Sequence, residues 1–302
     1  MSSSPKRKAK NQTVSIVGSG RLGTALASAL SQKGYQVEAL VARRMAHARR
    51  AASLLGTTTL ALSAQQLGQL PSSKIILITT PDDEILNTAR VLADRDVKAR
   101  GQTVLHTSGA LSASEVLAPL AAAGFATGSI HPLVSVSDPA SGADQLKSAF
   151  YCIEGDAVAI RAAKALVKDL DGHAFRIAAK DKPLYHAAAV MTAGHVTALV
   201  ALATELLVQC GLNEKTARRV LLPLLESTVA NLASAKPADA LTGTFARGDL
   251  ATVKRHLAAL SNQGSAEAIA AYKLLGRHSL ELAKRKVEPG IRKQILRELG
   301  RH

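Results

Sequence analysis

The sequence predicts an α/β protein: a doubly wound, mostly parallel sheet followed by an all-helical C-terminal region. Three observations carry this. Short β-branched runs alternate with helical stretches from Thr13 to Ile177, the pattern of successive βαβ units. From Lys180 the alternation stops, and helical periodicity runs to the end of the chain. The 302 residues are 47% hydrophobic but only 3% aromatic, without Trp. Ala, Leu and Val must therefore fill the core, which suits closely packed helices better than a sandwich or barrel.

Taken in order, residues 1–10 read as a disordered basic tail. Strands are expected at Thr13–Gly18, Gln36–Ala42, Lys74–Thr79, Thr103–His106, Phe125–His131, Phe150–Glu154 and His173–Ile177. Helices are expected near Arg21–Gly34, Met45–Gly56, Asp82–Asp94, Ser112–Ala123 and Asp156–Leu170. The helical region divides into Pro183–Cys210, Asn213–Ala235, Asp249–Asn262, Ser265–Lys286 and Pro289–Leu299. Gly211 and Gly264 suit helix C-termini, and Asp249 suits an N-cap. The domains expected are 11–178 for the sheet and 179–302 for the helices.

Cys152 and Cys210 are the only cysteines. Two thiols are too few for a disulfide framework or a Cys-rich zinc site, and no metal ligands are expected. They fit a reducing compartment. The first ten residues are polar, so no signal peptide is read there and a cytoplasmic location is expected. The net charge of +15 raises the prior for a polyanion partner. No aromatic RNA-binding motif or recognition helix accompanies it, so no specific nucleic acid is expected. Ala187 to Cys210 is almost wholly apolar and long enough to imitate a membrane span of ~20 residues. Its hydrophobicity rests on Ala and Val, so a soluble central helix, buried on all sides, is expected rather than a membrane segment.

The strongest motif is Gly18-x-Gly20-x-x-Gly23, which follows an apolar strand and opens a helix. Gly18 allows the tight turn, Gly20 lets a pyrophosphate approach the backbone, and Gly23 lets helix and strand pack closely. With the intervening Ser19, Arg21 and Leu22 at the helix N-terminus, this is the dinucleotide fingerprint of a Rossmann domain. NAD enzymes carry an acid at the end of the second strand. Here that strand ends in Arg43-Arg44, and Glu38 lies too early. Two guanidiniums at that place favour the 2′-phosphate of NADP over NAD.

Ligands of such sheets lie beyond the strands' carboxyl ends. Thr80-Pro81 follows one strand and is expected to run past the nicotinamide ribose. His106-Thr107-Ser108-Gly109 follows another, and His131-Pro132 a third. The first long helix opens with Lys182, and His186 stands one turn later on the same face. His195, nine residues beyond, points away. Lys182 and His186 are the expected proton donors, with Ser108, His131 and Arg247 orienting substrate.

The segments GSGRLG, HTSGALS, HPLVS, DKPLYHAAAV and LTGTFARGDLATVKRHL together resemble a bacterial family of predicted oxidoreductases. That family joins a Rossmann-like domain to a helical domain of unknown function 2520. The resemblance runs from about residue 13 to 285. More distantly, the chain is similar to pyrroline-5-carboxylate reductase, prephenate dehydrogenase and 6-phosphogluconate dehydrogenase, within the β-hydroxyacid dehydrogenase-like group. The resemblance implies a homodimer through the helical domain, which closes the substrate crevice, and a Lys or other polar residue on its first long helix serving the chemistry. Ala193-Gly194 and Thr244 depart from the relatives, which carry Ser-Asn and Pro there. The expected activity is an NADP-dependent hydride transfer at a C=O or C=N bond of a small metabolite. The alternatives are a non-catalytic NADP-binding sensor or assembly subunit, and a polyanion-binding protein.

Overall fold

The structure is a computed structural model and describes residues 12–56, 59–95 and 101–300. The expected tail, 1–10, lies outside them. The chain divides into two compact units, Met1–Val190 and Met191–His302.

The first unit is built on an eight-stranded sheet: β1 (Thr13–Val17), β2 (Gln36–Ala42), β3 (Leu60–Ser63), β4 (Ile75–Ile78), β5 (Thr103–His106), β6 (Ala126–Pro132), β7 (Phe150–Gly155) and β8 (His173–Phe175). Their order is β3-β2-β1-β4-β5-β6-β7-β8. Every pair is parallel except β6 with β7. The central strands are buried on both faces, so β4 reads as an unbroken apolar run with all four residues buried. The order reverses between β1 and β4, which opens the crevice characteristic of doubly wound sheets there.

Helices cover both faces. On one lie α1 (Arg21–Gln32), α2 (Met45–Ser53), α6 (Pro139–Gln145) and α7 (Ala157–Asp169), which bury Ala25, Leu26, Ala51, Ala143 and Leu166 against Ile16, Leu105 and Ile153. On the other lie α3 (Asp82–Ala93), α4 (Ala113–Val116) and α5 (Ala118–Ala122), with Ile85, Ala89 and Leu120 against Val17, Ile78 and Val104. One strand and one α-helix of this unit were not expected from the sequence, nor were the short helices Pro237–Ala240 and Gly243–Arg247 further on. Strand β3 is a four-residue edge strand, too short to show alternation. Helix α6, with sequence PASGADQ, has no apolar period and is held by its Asp138 N-cap, which accepts from Ser141 N.

The last strand ends at Phe175, two residues before the expected Ile177, and the first compact unit continues to Val190. It takes in most of α8 (Lys182–Thr192). The second unit contains α9 (Gly194–Gln209), α10 (Glu214–Ser234), α11 (Pro237–Ala240), α12 (Gly243–Arg247), α13 (Leu250–Gln263), α14 (Ala266–Leu282) and α15 (Pro289–Glu298). The long helix expected at Pro183–Cys210 is thus interrupted at Ala193. Asp249 caps α13 as expected, accepting from Thr252 N at 3.0 Å. Gly211, with φ +96°, follows α9, whereas Gly264 ends α13 in extended backbone. A small core of Val253, Leu280, Ile295 and Leu299 holds α13, α14 and α15 together.

The expectation of a helix buried on all sides is not met within one chain. The helical run Ala179–Gln209 is apolar and long enough to cross a membrane, with 6% of its most apolar window buried. Leu199 and Val208 of α9 and Val220, Leu222, Leu224, Val229 and Leu232 of α10 are all exposed. Burial of an apolar helix needs partners on every side, and the second unit's own core is too small to supply them.

Candidate functional site

The glycine fingerprint folds as its spacing predicts. Gly18 turns the chain out of β1 at φ +112°, and both Gly18 N and Ser19 N donate to Val41 O at the end of β2. A Cβ at Gly18 would stand 2.6 Å from the Thr79 carbonyl carbon. One at Gly23 would stand 2.1 Å from Gly18 O. At Gly20 it would meet nothing within 4 Å. Gly18 and Gly23 therefore permit packing, and Gly20 leaves open space. Gly20 is also the N-cap of α1, and no side-chain oxygen caps the first-turn N–H groups.

A cavity of about 600 Å³ opens here at the reversal of strand order. Of the residues expected to bind a cofactor, Gly18, Ser19, Gly20, Arg43, Thr80 and Pro81 line it. Arg21 and Arg44 are exposed on neighbouring helix starts, while Leu22 and Gly23 pack inward and line nothing. His47, in the first turn of α2, and Asp83, Glu84 and Asn87, on one face of α3, line it too and were not expected from the sequence. Only their distance from β2 and β4 in sequence could have suggested them. Ser19 Oγ and Thr80 Oγ1 are buried without a hydrogen-bond partner among the described residues. Unpaired buried hydroxyls are costly, roughly 1–3 kcal/mol each. They fit a polar ligand in this cavity.

A second cluster lies at the ends of β5, β6 and β7, still in the first unit. Sheet register puts His106 beside Ser129 and Ser129 opposite Glu154, a polar row across three strands. Lys182, the first residue of α8, lies over this row and is fully buried. Its Nζ donates to Ser129 Oγ at 2.7 Å and to Glu154 Oε1 at 3.4 Å. The same Glu154 oxygen accepts from Ala113 N at 2.8 Å. Burial lowers the Lys182 pKa, and the neighbouring Glu154 carboxylate opposes that.

One turn further along α8, Tyr185 and His186 meet His131. Tyr185 Oη and His131 Nδ1 are 2.6 Å apart, and both aromatic rings stand edge-on to His131. Gly109 makes this possible: a Cβ there would come within 2.4 Å of His186 Nδ1 and 2.9 Å of His131 Nε2. Burial, then His186 and Lys182, bring His131 down to about 4. Its imidazole is therefore neutral near pH 7. Burial and the Cys152 thiol push the Tyr185 phenol up, so it stays protonated.

His106 is wholly buried and lowered to about 3, chiefly by burial. Its Nδ1 accepts from Ser108 N at 3.2 Å, so its proton sits on Nε2, which has no partner among the described residues. His186 Nδ1 is likewise buried and unpartnered. The four expected chemical residues thus differ. His131 and His186 converge. Lys182 is buried in the row, and the Ser108 hydroxyl is spent on donating to Asp82 Oδ2 and accepting from Ala110 N and Leu111 N. Arg247 and His195 belong to the second compact unit. Among the described residues no group of three or more His, Cys, Asp or Glu could hold a metal ion.

A doubly wound sheet with a glycine turn at its topological switch point defines a Rossmann-like nucleotide-binding domain. The family comparisons agree: a Rossmann-like domain matches residues 2–132, and Domain of unknown function (DUF2520) matches 149–279. The chain therefore has the two-domain make-up of the family it resembles, with the second match beginning inside the sheet, before β7. No curated protein matches the chain by sequence. Among solved structures, a candidate NADP oxidoreductase, BF3122 from Bacteroides fragilis, is 22% identical with a TM-score of 0.73. The likeness covers 89% of this chain and 98% of that one. A reductive aminase from Aspergillus terreus in complex with NADPH is 19% identical with a TM-score of 0.65, over 95% and 99% of the two chains. The pyrroline carboxylate reductase of Plasmodium falciparum, solved with NADP bound, is 13% identical with a TM-score of 0.58, over 96% and 99%. At these identities the likeness is one of fold.

Proposed function

We propose that this chain is an NADP-dependent oxidoreductase transferring hydride to or from a C=O or C=N bond of a small metabolite, within the β-hydroxyacid dehydrogenase-like group. The observation that carries the reading is the cavity at the switch point. It combines open space at Gly20, an uncapped helix N-terminus, two unpaired hydroxyls and the Arg43 guanidinium. NADP and NADPH in the neighbouring structures support the same choice of cofactor.

Ser19, Gly20 and the α1 amides would hold the pyrophosphate, Arg43 with His47 the 2′-phosphate, and Thr80 and Pro81 the ribose toward the nicotinamide. Bound there, the cofactor supplies or accepts the hydride. His131 and His186 are the groups that would hold and move the proton at the reacting oxygen or nitrogen, with Tyr185 fixing the His131 ring. Lys182 and Ser108 serve from behind. Lys182 puts its charge beneath the histidines, and Ser108 shapes the turn that brings Gly109 against them.

The exposed apolar faces of α9 and α10 support a homodimer through the helical unit, the arrangement that keeps such a surface out of water in a cytoplasmic protein. The deciding experiment is titration of NADPH and NADH into the protein, followed by a panel of keto acids, imines and hydroxy acids read by NADPH absorbance. Equal affinities, or no binding, would refute the reading.

A further inference from the structure

The cluster contains a carboxylate that the proposed chemistry does not use. Glu154 is 7% exposed and lies on β7, directly opposite Ser129 in the sheet. One of its oxygens takes two bonds, from the α4 amide of Ala113 and from Lys182 Nζ. Lys182 in turn reaches Ser129 on β6. Three elements, α4, β6 and β7, thus converge on the opening residue of α8. The residues three and four positions later are Tyr185 and His186. On a helix these offsets return to the same face, so anchoring Lys182 sets where both side chains stand. Their tolerance is small. The His131–Tyr185 bond is 2.6 Å long, and the space for His186 exists only because Gly109 lacks a Cβ.

We propose that Glu154 and Lys182 are positioning residues: their buried pair, bridged by Ser129, pins the first turn of α8 to the sheet and holds Tyr185 and His186 in register with His131. The proposal rests on reading this cluster as the reacting end of a reductase. It assigns the Lys182 ammonium to the fold of the site rather than to substrate. A partner for a buried ammonium must itself be buried and fixed, and Glu154 meets both conditions.

The test uses the full chain labelled with 15N-histidine, and compares wild type with Glu154→Ala, Glu154→Leu/Lys182→Met, and Tyr185→Phe as the reference for a lost His131 bond. Glu154→Ala leaves a buried ammonium unpaired, and the melting temperature should fall by roughly 5–15 °C. The double variant replaces the pair with apolar groups and should recover most of that loss. In both, the His131 ring-nitrogen signal should move to the Tyr185→Phe position. NADPH affinity should stay within about twofold, since none of these residues lines the cofactor cavity. A wild-type His131 signal in either folded variant would overturn the proposal, because a merely structural pair changes the melting temperature alone. Should Glu154→Ala fail to fold, the double variant decides. Failure of wild type to bind NADPH would count against the proposed function and leave the His131 result to be read separately.

Discussion

The three fingerprint glycines should separate stability from cofactor binding when each is changed to Ala. At Gly23 the new methyl would lie 2.1 Å from Gly18 O and 2.5 Å from Thr79 Oγ1. Backbone must move, so Gly23→Ala should cost about 1–3 kcal/mol or more in stability, the range for overpacking. At Gly18 the backbone sits at φ +112°, with Thr79 and Thr80 backbone atoms 2.6–2.8 Å from the new carbon. Strain of about 1–3 kcal/mol adds to the clash there. Gly20 is different. Its φ of −76° and ψ of −163° are extended backbone open to any residue, and nothing lies within 4 Å. Replacing a Gly N-cap by Ala costs about 0.5–1 kcal/mol, and the stiffer unfolded chain returns about 0.4–1 kcal/mol. Gly20→Ala should therefore melt within a few degrees of wild type. Its methyl would occupy the space proposed for the pyrophosphate, so NADPH affinity should fall at least tenfold, about 1.4 kcal/mol. Thermal melts and NADPH fluorescence titration on the same samples read both effects. Wild-type NADPH affinity in Gly20→Ala would refute the reasoning. So would a melting loss in Gly20→Ala as large as that in Gly23→Ala.

Other outcomes follow from the same coordinates. NADPH should bind at least tenfold more tightly than NADH, and Arg43→Ala/His47→Ala should erase most of the difference, since a charge-assisted phosphate contact is worth roughly 1.5–3 kcal/mol; paired titrations decide. His131→Gln and His186→Gln should each lower kcat by ~10²–10⁴ with NADPH affinity nearly unchanged, measured on whichever carbonyl or imine the substrate panel yields. His106 and His131 titrate in the fold near 3 and 4, against 6.5 for free imidazole. The unfolded chain binds their protons first, so their contribution to stability is complete above pH 6.5 and is lost as the pH falls toward 4 and 3. Between pH 6.5 and 5 the loss is about 1.6 kcal/mol per ring. Urea unfolding at those two pH values should detect it, and no change in midpoint would contradict the burial of both rings. Light scattering should give twice the 31.5 kDa chain mass, and a monomer over a wide concentration range would leave α9 and α10 unexplained.

Local chemistry made much of the fold legible. The strand–glycine–helix run at Val14–Gly23, the apolar β4 and the N-cap at Asp249 depend on neighbours a few residues apart. Periodicity and capping report such neighbours faithfully. The glycine turn and Arg43, which line the cavity at the switch point, were legible for the same reason, because they adjoin the strands that carry them. His47 was missed because nothing local distinguishes a histidine facing a cavity from one facing solvent.

The remainder was decided by tertiary structure. Lys182 and His186 share a helix face in the sequence, and the sequence alone suggests equal roles for them. Register across β5, β6 and β7 separates the two. It brings Ser129 and Glu154 beneath Lys182 and buries its ammonium, while His186 meets His131 over Gly109. Partners 53 and 28 residues from Lys182 leave no periodic trace, because their pairing is set by strand order. Ser108 shows the same effect: its hydroxyl is consumed by Asp82 and two turn amides. The apolar stretch from Ala187 was plain in the sequence as hydrophobic. Hydrophobicity determined that the helix needs cover, and only the packing of the chain decided that the cover does not come from within it.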